Sequence, residues 1–167
     1  MNRIVILTGA GISAESGLGT FRDKGGLWSQ YDLDEVATLH GFARNPGLVH
    51  DFYNARRANM QDAAPNAAHR ALARLQSAFP GDVLIVTQNI DDLHERAGSR
   101  PVLHMHGQLS GALCAACDHR WSAPRVMAPD APCPACTAPR ARPDIVWFGE
   151  MPYHMDQIGT ALVQAEL

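Results

Sequence analysis

The residues with chemistry to offer gather between Val83 and Gly107. A β-branched run, Val83-Leu84-Ile85-Val86, is short enough for a buried strand, and Thr87, Gln88, Asn89 and Asp91 follow it directly. A second apolar pair, Val102-Leu103, leads into His104-Met105-His106-Gly107. Ligands in open α/β sheets sit beyond the carboxyl ends of the strands, so both runs deliver polar side chains to one rim. An imidazole there suits proton transfer, because histidine titrates near working pH. His104, two residues before His106, is expected to face the same side of its strand.

Two further sets carry chemistry. Gly9-Ala10-Gly11-Ile12-Ser13-Ala14 follows a strand-like run, Arg3 to Leu7, and fits G-x-G-x-x-G/A. Glycines in that pattern let backbone N–H groups approach a pyrophosphate at a helix start. A tight strand-to-helix turn reads the same way, and the acidic ribose partner expected about 20 residues on is not evident. Cys114-Ala115-Ala116-Cys117 and Cys133-Pro134-Ala135-Cys136 are separated by fifteen residues, the spacing of a zinc site. Four thiolates complete a tetrahedron and leave no place for water, so such a zinc is structural and His119 is a bystander.

The elements that position these groups follow from capping and periodicity. Asn45-Pro46 starts a helix running to about Met60, on which Tyr53 and Arg56 share a face. Taken alone, such a pair reads as solvated or snorkelling. Pro65-Asn66 starts another, with Ala68, Leu72 and Leu75 inward and His69 structural. Asp92 to Ala97 is a short helix closing on Gly98. Pro143 to Glu150 reads as a strand, and Tyr153 to Glu166 as a helix with Met155, Ile158, Leu162 and Ala165 on one face. The glycine-rich stretch from Gly17 to Trp28 suggests a loop covering a ligand.

Bulk properties bound the rest. The chain has 167 residues, 46% hydrophobic and 19% charged, which fits one globular domain with a small insert. A net charge of -3 with scattered Lys and Arg gives no nucleic-acid footprint, and no apolar run is long enough to span a membrane. Cysteines without an export signal favour metal over disulfides, so the expected setting is the cytoplasm.

The ordered set Gly9-Ala10-Gly11-Ile12-Ser13, Thr20-Phe21-Arg22-Asp23, Thr87-Gln88-Asn89-Ile90-Asp91, His104-Met105-His106-Gly107, the two cysteine pairs and Val146-Trp147-Phe148-Gly149-Glu150 resembles the sirtuins. These are NAD-dependent protein-lysine deacylases. The resemblance covers almost the whole chain. It implies an α/β fold: a Rossmann-like parallel sheet over 1–110 and 140–167, substrate-side helices within 32–80, and a zinc module at 111–139. It implies NAD contacts from Gly9, Ala10, Gly11, Ser13, Thr20, Phe21, Arg22, Trp28, Gln88, Asn89, Ile90 and Asp91, and a general base at His106. Val146, Phe148 and Gly149 would meet the acyl-lysine substrate, and Cys114, Cys117, Cys133 and Cys136 would hold one zinc ion. In the family's chemistry the acyl oxygen attacks the ribose carbon as nicotinamide leaves, and the acyl group ends on ADP-ribose.

Tyr53-Asn54-Ala55-Arg56 resembles the Tyr-x-x-Arg signature of the sirtuin branch that removes acidic acyl groups. Succinyl- and malonyl-lysine are therefore expected substrates beside acetyl-lysine, because a guanidinium pairs with a carboxylate. The sequence departs from many sirtuins at Gly19-Thr20, where they carry Pro-Asp. The family also continues past the position of Leu167 with a strand, a Gly-Thr/Ser turn, an Asn-bearing strand end and a helix. The sheet is thus expected to be incomplete on its C-terminal side. A second reading is then an inactive sirtuin fragment acting as a zinc-stabilised acyl-peptide-binding module. A third, a Rossmann-type oxidoreductase, leaves the cysteines unexplained.

Overall fold

The computed structural model describes residues 2–19 and 31–166. Strand β1 (Arg3–Thr8) pairs in parallel with β2 (Asp82–Thr87), and β2 pairs in parallel with β3 (Val102–His104). Parallel neighbours require crossovers, and helices supply them. The crossover from β1 to β2 runs through a 3-10 turn (Ala10–Ser16), α1 (Leu33–Val36), α2 (Leu39–Arg44), α3 (Pro46–Asp62) and α4 (Ala67–Ala78). The β2-to-β3 crossover holds α5 (Leu93–Arg96).

Local chemistry sets the helix starts as expected. Asn45 Oδ1 accepts from Leu48 N at 3.1 Å, with Pro46 beginning α3. At α4, Asn66 caps the first turn and its own N–H donates to His69 Nδ1 at 3.3 Å, a reciprocal box. That bond, and a contact to Ser13, turn His69 fully inward. The inner face of α4 therefore runs through His69 and Leu72, and Ala68 is exposed, contrary to its expected place.

A second, antiparallel sheet has the order β5-β4-β6: β4 (Gly107–Cys114), β5 (Arg120–Ser122) and β6 (Ala141–Ile145). Here the expected strand from Pro143 to Glu150 is cut short. After Ile145 the Glu150 carboxylate folds back to accept Trp147 N at 2.9 Å, and Gly149 turns the chain at φ +88°. Phe148 then makes a lone parallel bridge to Thr38. The last helix, α6 (Met155–Val163), begins later than expected, because His154 takes a positive φ and Tyr153 N is bonded to Met105 O at 2.8 Å. It buries Ile158 and Ala161, whereas Met155 and Leu162 are 43% and 58% exposed.

The main core packs α3 against the antiparallel sheet. Val49, Phe52, Tyr53 and Met60 of α3 pack with Val36, Leu109, Ile145 and Trp147. Burying each large side chain contributes about 1.5–3 kcal/mol. This packing fixes the helix that presents Tyr53 and Arg56. No helix among the described residues is long and apolar enough to cross a membrane.

Candidate active site and metal centre

Beyond the carboxyl ends of β1 and β2 lies a cavity of about 680 Å³. Ala10 and Ser13 line it from the turn after β1, Gln88, Asn89, Ile90 and Asp91 from the loop after β2, and His106 from the turn after β3. Val146, Phe148 and Gly149 close it from the opposite side, and Tyr53 and Arg56 enter from α3. Gly9 and Gly11 are not in the lining, although Gly9 packs beside Gln88 Oε1. Thr20, Phe21, Arg22 and Trp28 lie outside the described residues.

The polar floor is a connected network whose directions can be assigned. An amide N–H only donates, so His69 Nδ1, which receives Asn66 N, is an acceptor and Nε2 carries the proton. Nε2 faces Ser13 Oγ at 3.4 Å, and Asn89 Nδ2 donates to the same oxygen at 3.0 Å. Ser13 Oγ then donates to Asp91 Oδ2 at 2.9 Å, while Leu93 N holds Asp91 Oδ1 at 3.1 Å. Asp91 is thereby a fixed carboxylate at the cavity wall.

The two histidines at the end of β3 and just beyond it part company. The strand ends at His104, and the chain turns through Met105 and His106 to Gly107 at φ +78°. A Cβ on Gly107 would stand 2.0 Å from Asp144 O, so no other residue fits this corner. His104 is consequently buried under the loop, facing Asn89 O at 3.0 Å and Glu95 Oε1 at 2.7 Å. Burial opposes its protonation, but the Glu95 contact outweighs this and raises its pKa. His106 reaches the cavity instead. Its Nδ1 lies 3.0 Å from the Gln88 carbonyl, which can only accept, so Nδ1 carries a proton and Nε2 is the nitrogen left to face the cavity's ligands.

Beneath the floor, His94 is fully buried, with Nε2 3.0 Å from Thr8 Oγ1. Burial, then the neighbouring His69, lowers its pKa from 6.5 to about 4. A depressed histidine contributes stability above its unfolded pKa and loses it as pH falls toward the folded value. Between pH 6.5 and 4 this group should cost about 3 kcal/mol of stability. Urea unfolding of the protein and of His94→Gln across that window should show a shallower acid loss in the variant; parallel curves would rule the account out.

On the wall opposite the floor, Tyr53 is 1% exposed and accepts from Trp147 Nε1 at 2.9 Å. Burial pushes its hydroxyl up to about 12, so it keeps its proton. Burial also lowers the Arg56 pKa, with Tyr53 and Asp91 acting against that, and its guanidinium lies over the Phe52 ring. Both line the cavity, Tyr53 buried and Arg56 half-buried, so neither is a freely solvated surface group. Asn59 and Trp147 also line this wall. Trp147 falls within the Val146–Glu150 stretch that carries the resemblance, without a site role there, and Asn59 continues the 53–56 row at the same spacing.

The four cysteines converge as their spacing implies. Their sulfurs lie within 4.8 Å of one another. A tetrahedron with Zn–S of about 2.3 Å sets its sulfurs about 3.8 Å apart. Cys114 and Cys136 Sγ stand 3.7 Å apart, and Cys117 and Cys133 Sγ 3.8 Å. Ala116 N donates to Cys114 Sγ and Ala135 N to Cys133 Sγ, each at 3.4 Å. The site fits one zinc ion. His119 stacks on Trp121 and stays out of the cluster.

The Sir2 family model matches residues 9–167. The chain belongs to the Sir2 family. An NAD-dependent protein deacylase of Caulobacter vibrioides is 57% identical over 169 residues, covering 99% of this chain and 71% of that protein. A solved Sir2 homologue in complex with ADP-ribose superposes with a TM-score of 0.86 at 41% identity, covering 97% of this chain and 65% of its own. A Sir2 homologue–NAD complex gives a TM-score of 0.81 at 41% identity, covering 96% and 61%. This Sir2-family chain thus spans about two thirds of the length of the solved structures it matches.

Proposed function

We propose that this protein is an NAD-dependent protein-lysine deacylase that accepts acidic acyl groups. The observation that carries the reading is one cavity bordered by His106, the Ser13–Asn89–Asp91 floor and the Tyr53–Arg56 wall. Its size suits a ligand pocket, and its groups divide into two halves. Backbone at Gly9, Ala10 and Gly11 with Ser13, Gln88, Asn89, Ile90 and Asp91 would hold NAD, and Thr20, Phe21, Arg22 and Trp28 belong with them in this reading. NAD, when bound, supplies the ribose carbon that takes the acyl oxygen as nicotinamide leaves. His106 Nε2 accepts a proton from a hydroxyl presented at the cavity, its tautomer held by Gln88 O. Val146, Phe148 and Gly149 flank the acyl-lysine of a protein substrate, and Trp147 excludes water behind it. The nucleotide half corresponds to 1–110 with 140–167, and the zinc module to 111–139. Reduced, metal-binding thiols suit a cytoplasmic setting.

Tyr53 and Arg56 give the acyl specificity. Arg56 loses hydration inside the protein, and a carboxylate beside it offsets that loss with paired, charge-assisted hydrogen bonds. Acetyl-lysine offers no such group. Arg56→Met should therefore lower kcat/KM on a succinyl-lysine peptide by about 10²-fold, because a buried charge-assisted bond is lost, and change an acetyl-lysine peptide only a few-fold. Mass spectrometry of both peptides with NAD measures this directly. Equal losses on the two peptides would remove the acidic-acyl reading and leave the deacylase reading standing.

A further inference from the structure

A buried cation sits just behind the acyl wall. Arg142 on β6 is 3% exposed and does not line the cavity. Its guanidinium is held by both Glu150 oxygens, at 2.9 and 2.8 Å, and donates to Ile145 O at 2.7 Å. Held there, it lies over the Trp147 indole, its central carbon 3.7 Å from the ring centroid. Glu150 Oε2 also accepts Trp147 N, so one ion pair fixes both the backbone and the ring of this tryptophan. The indole N–H, which can only donate, points at Tyr53 Oη from 2.9 Å. With its oxygen receiving that proton, Tyr53 must turn its own O–H away from the indole.

We propose that Arg142 is a positioning residue for acidic-acyl selectivity. It locks Trp147, and Trp147 makes Tyr53 a donor toward the acyl group. This rests on the Tyr53–Arg56 reading above. Lysine at 142 would keep the charge, but its single ammonium cannot hold both Glu150 oxygens and Ile145 O in the guanidinium's fork geometry.

The test is a double-mutant cycle between Arg142→Lys and Tyr53→Phe, read as KM and kcat on succinyl-lysine and acetyl-lysine peptides. Arg142→Lys should raise the succinyl KM about tenfold with kcat held, and move the acetyl KM by less than about twofold. In the Tyr53→Phe background it should add almost nothing, because the group it orients is gone. Equal losses on both peptides, or effects that simply add, overturn the proposal. If Arg142→Lys does not fold, Trp147→Phe, which deletes the indole N–H, takes its place in the same cycle, and additivity with Tyr53→Phe again overturns it. A wild-type protein indifferent to succinyl-lysine removes the underlying reading as well, so the two failures are distinct.

Discussion

His106→Ala should lower NAD-dependent deacylation by about 10²–10⁴-fold, the range for removing a general base, while the melting temperature stays within a few degrees. The side chain is half-buried and, among the described residues, its hydrogen bond runs to Gln88 O, so little folding energy rests on it. Its neighbour supplies the control. His104 is buried and bridges the Asn89 carbonyl to Glu95, holding the β2 loop against α5. His104→Ala should leave the half-buried Glu95 without its partner and lower stability by about 1–3 kcal/mol. Its activity per folded molecule should fall far less than that of His106→Ala. Calorimetry beside single-peptide kinetics separates the two. Full turnover by folded His106→Ala would mean that another group takes the proton, and the role assigned to Nε2 would be abandoned.

That contrast marks what the sequence could and could not convey. Period-2 reasoning put His104 and His106 on one face, and it failed because Gly107 forces a corner before the second histidine. The corner depends on how closely the Asp144 backbone approaches, a contact 37 positions away in sequence. Thiolate spacing, by contrast, is a local signal with a single geometric solution, and the four sulfurs meet as it required. The caps at Asn45 and Asn66 were legible for the same reason. The floor network was not, because His69 joins it only when α4 is docked on the turn after β1. Its capping role and its contact to Ser13 share one ring, and only the fold brings the two together. The link from Arg142 through Trp147 to Tyr53 was not legible, because it joins a strand and a loop to α3, about 90 positions away in sequence.

Removing zinc should unfold the cysteine module and loosen the acyl wall, while the parallel sheet persists. The module's own core is small: Ala112, Met127 and Ala141, with Trp121, Ala123 and Ala131 half-buried around them. Such a core offsets little of the entropy of ordering the segment, whereas a structural zinc site supplies about 10–16 kcal/mol. The residues after each second cysteine, Asp118 and Thr137, are held at positive φ, and for a β-branched threonine that conformation is costly. Metal binding offsets that cost, so the turn should relax when the sulfurs are released. The consequence reaches the cavity through α3. Asn54 donates to Met127 O at 3.1 Å and accepts Met127 N at 2.9 Å, and His50 Nε2 lies 3.1 Å from Ala141 O. Asn54 sits between Tyr53 and Arg56, so freeing Met127 releases the helix turn that carries both. Cys133→Ser/Cys136→Ser should therefore lose zinc by elemental analysis, melt at least about 10 °C lower, and bind a succinyl-lysine peptide more weakly than an acetyl-lysine peptide relative to wild type. Circular dichroism should retain the α/β signal of the β1-β2-β3 part at low temperature. Unchanged zinc content would disprove the four-sulfur site. Zinc lost with both melting and peptide binding unchanged would disconnect the module from the fold and from the wall it is argued to brace.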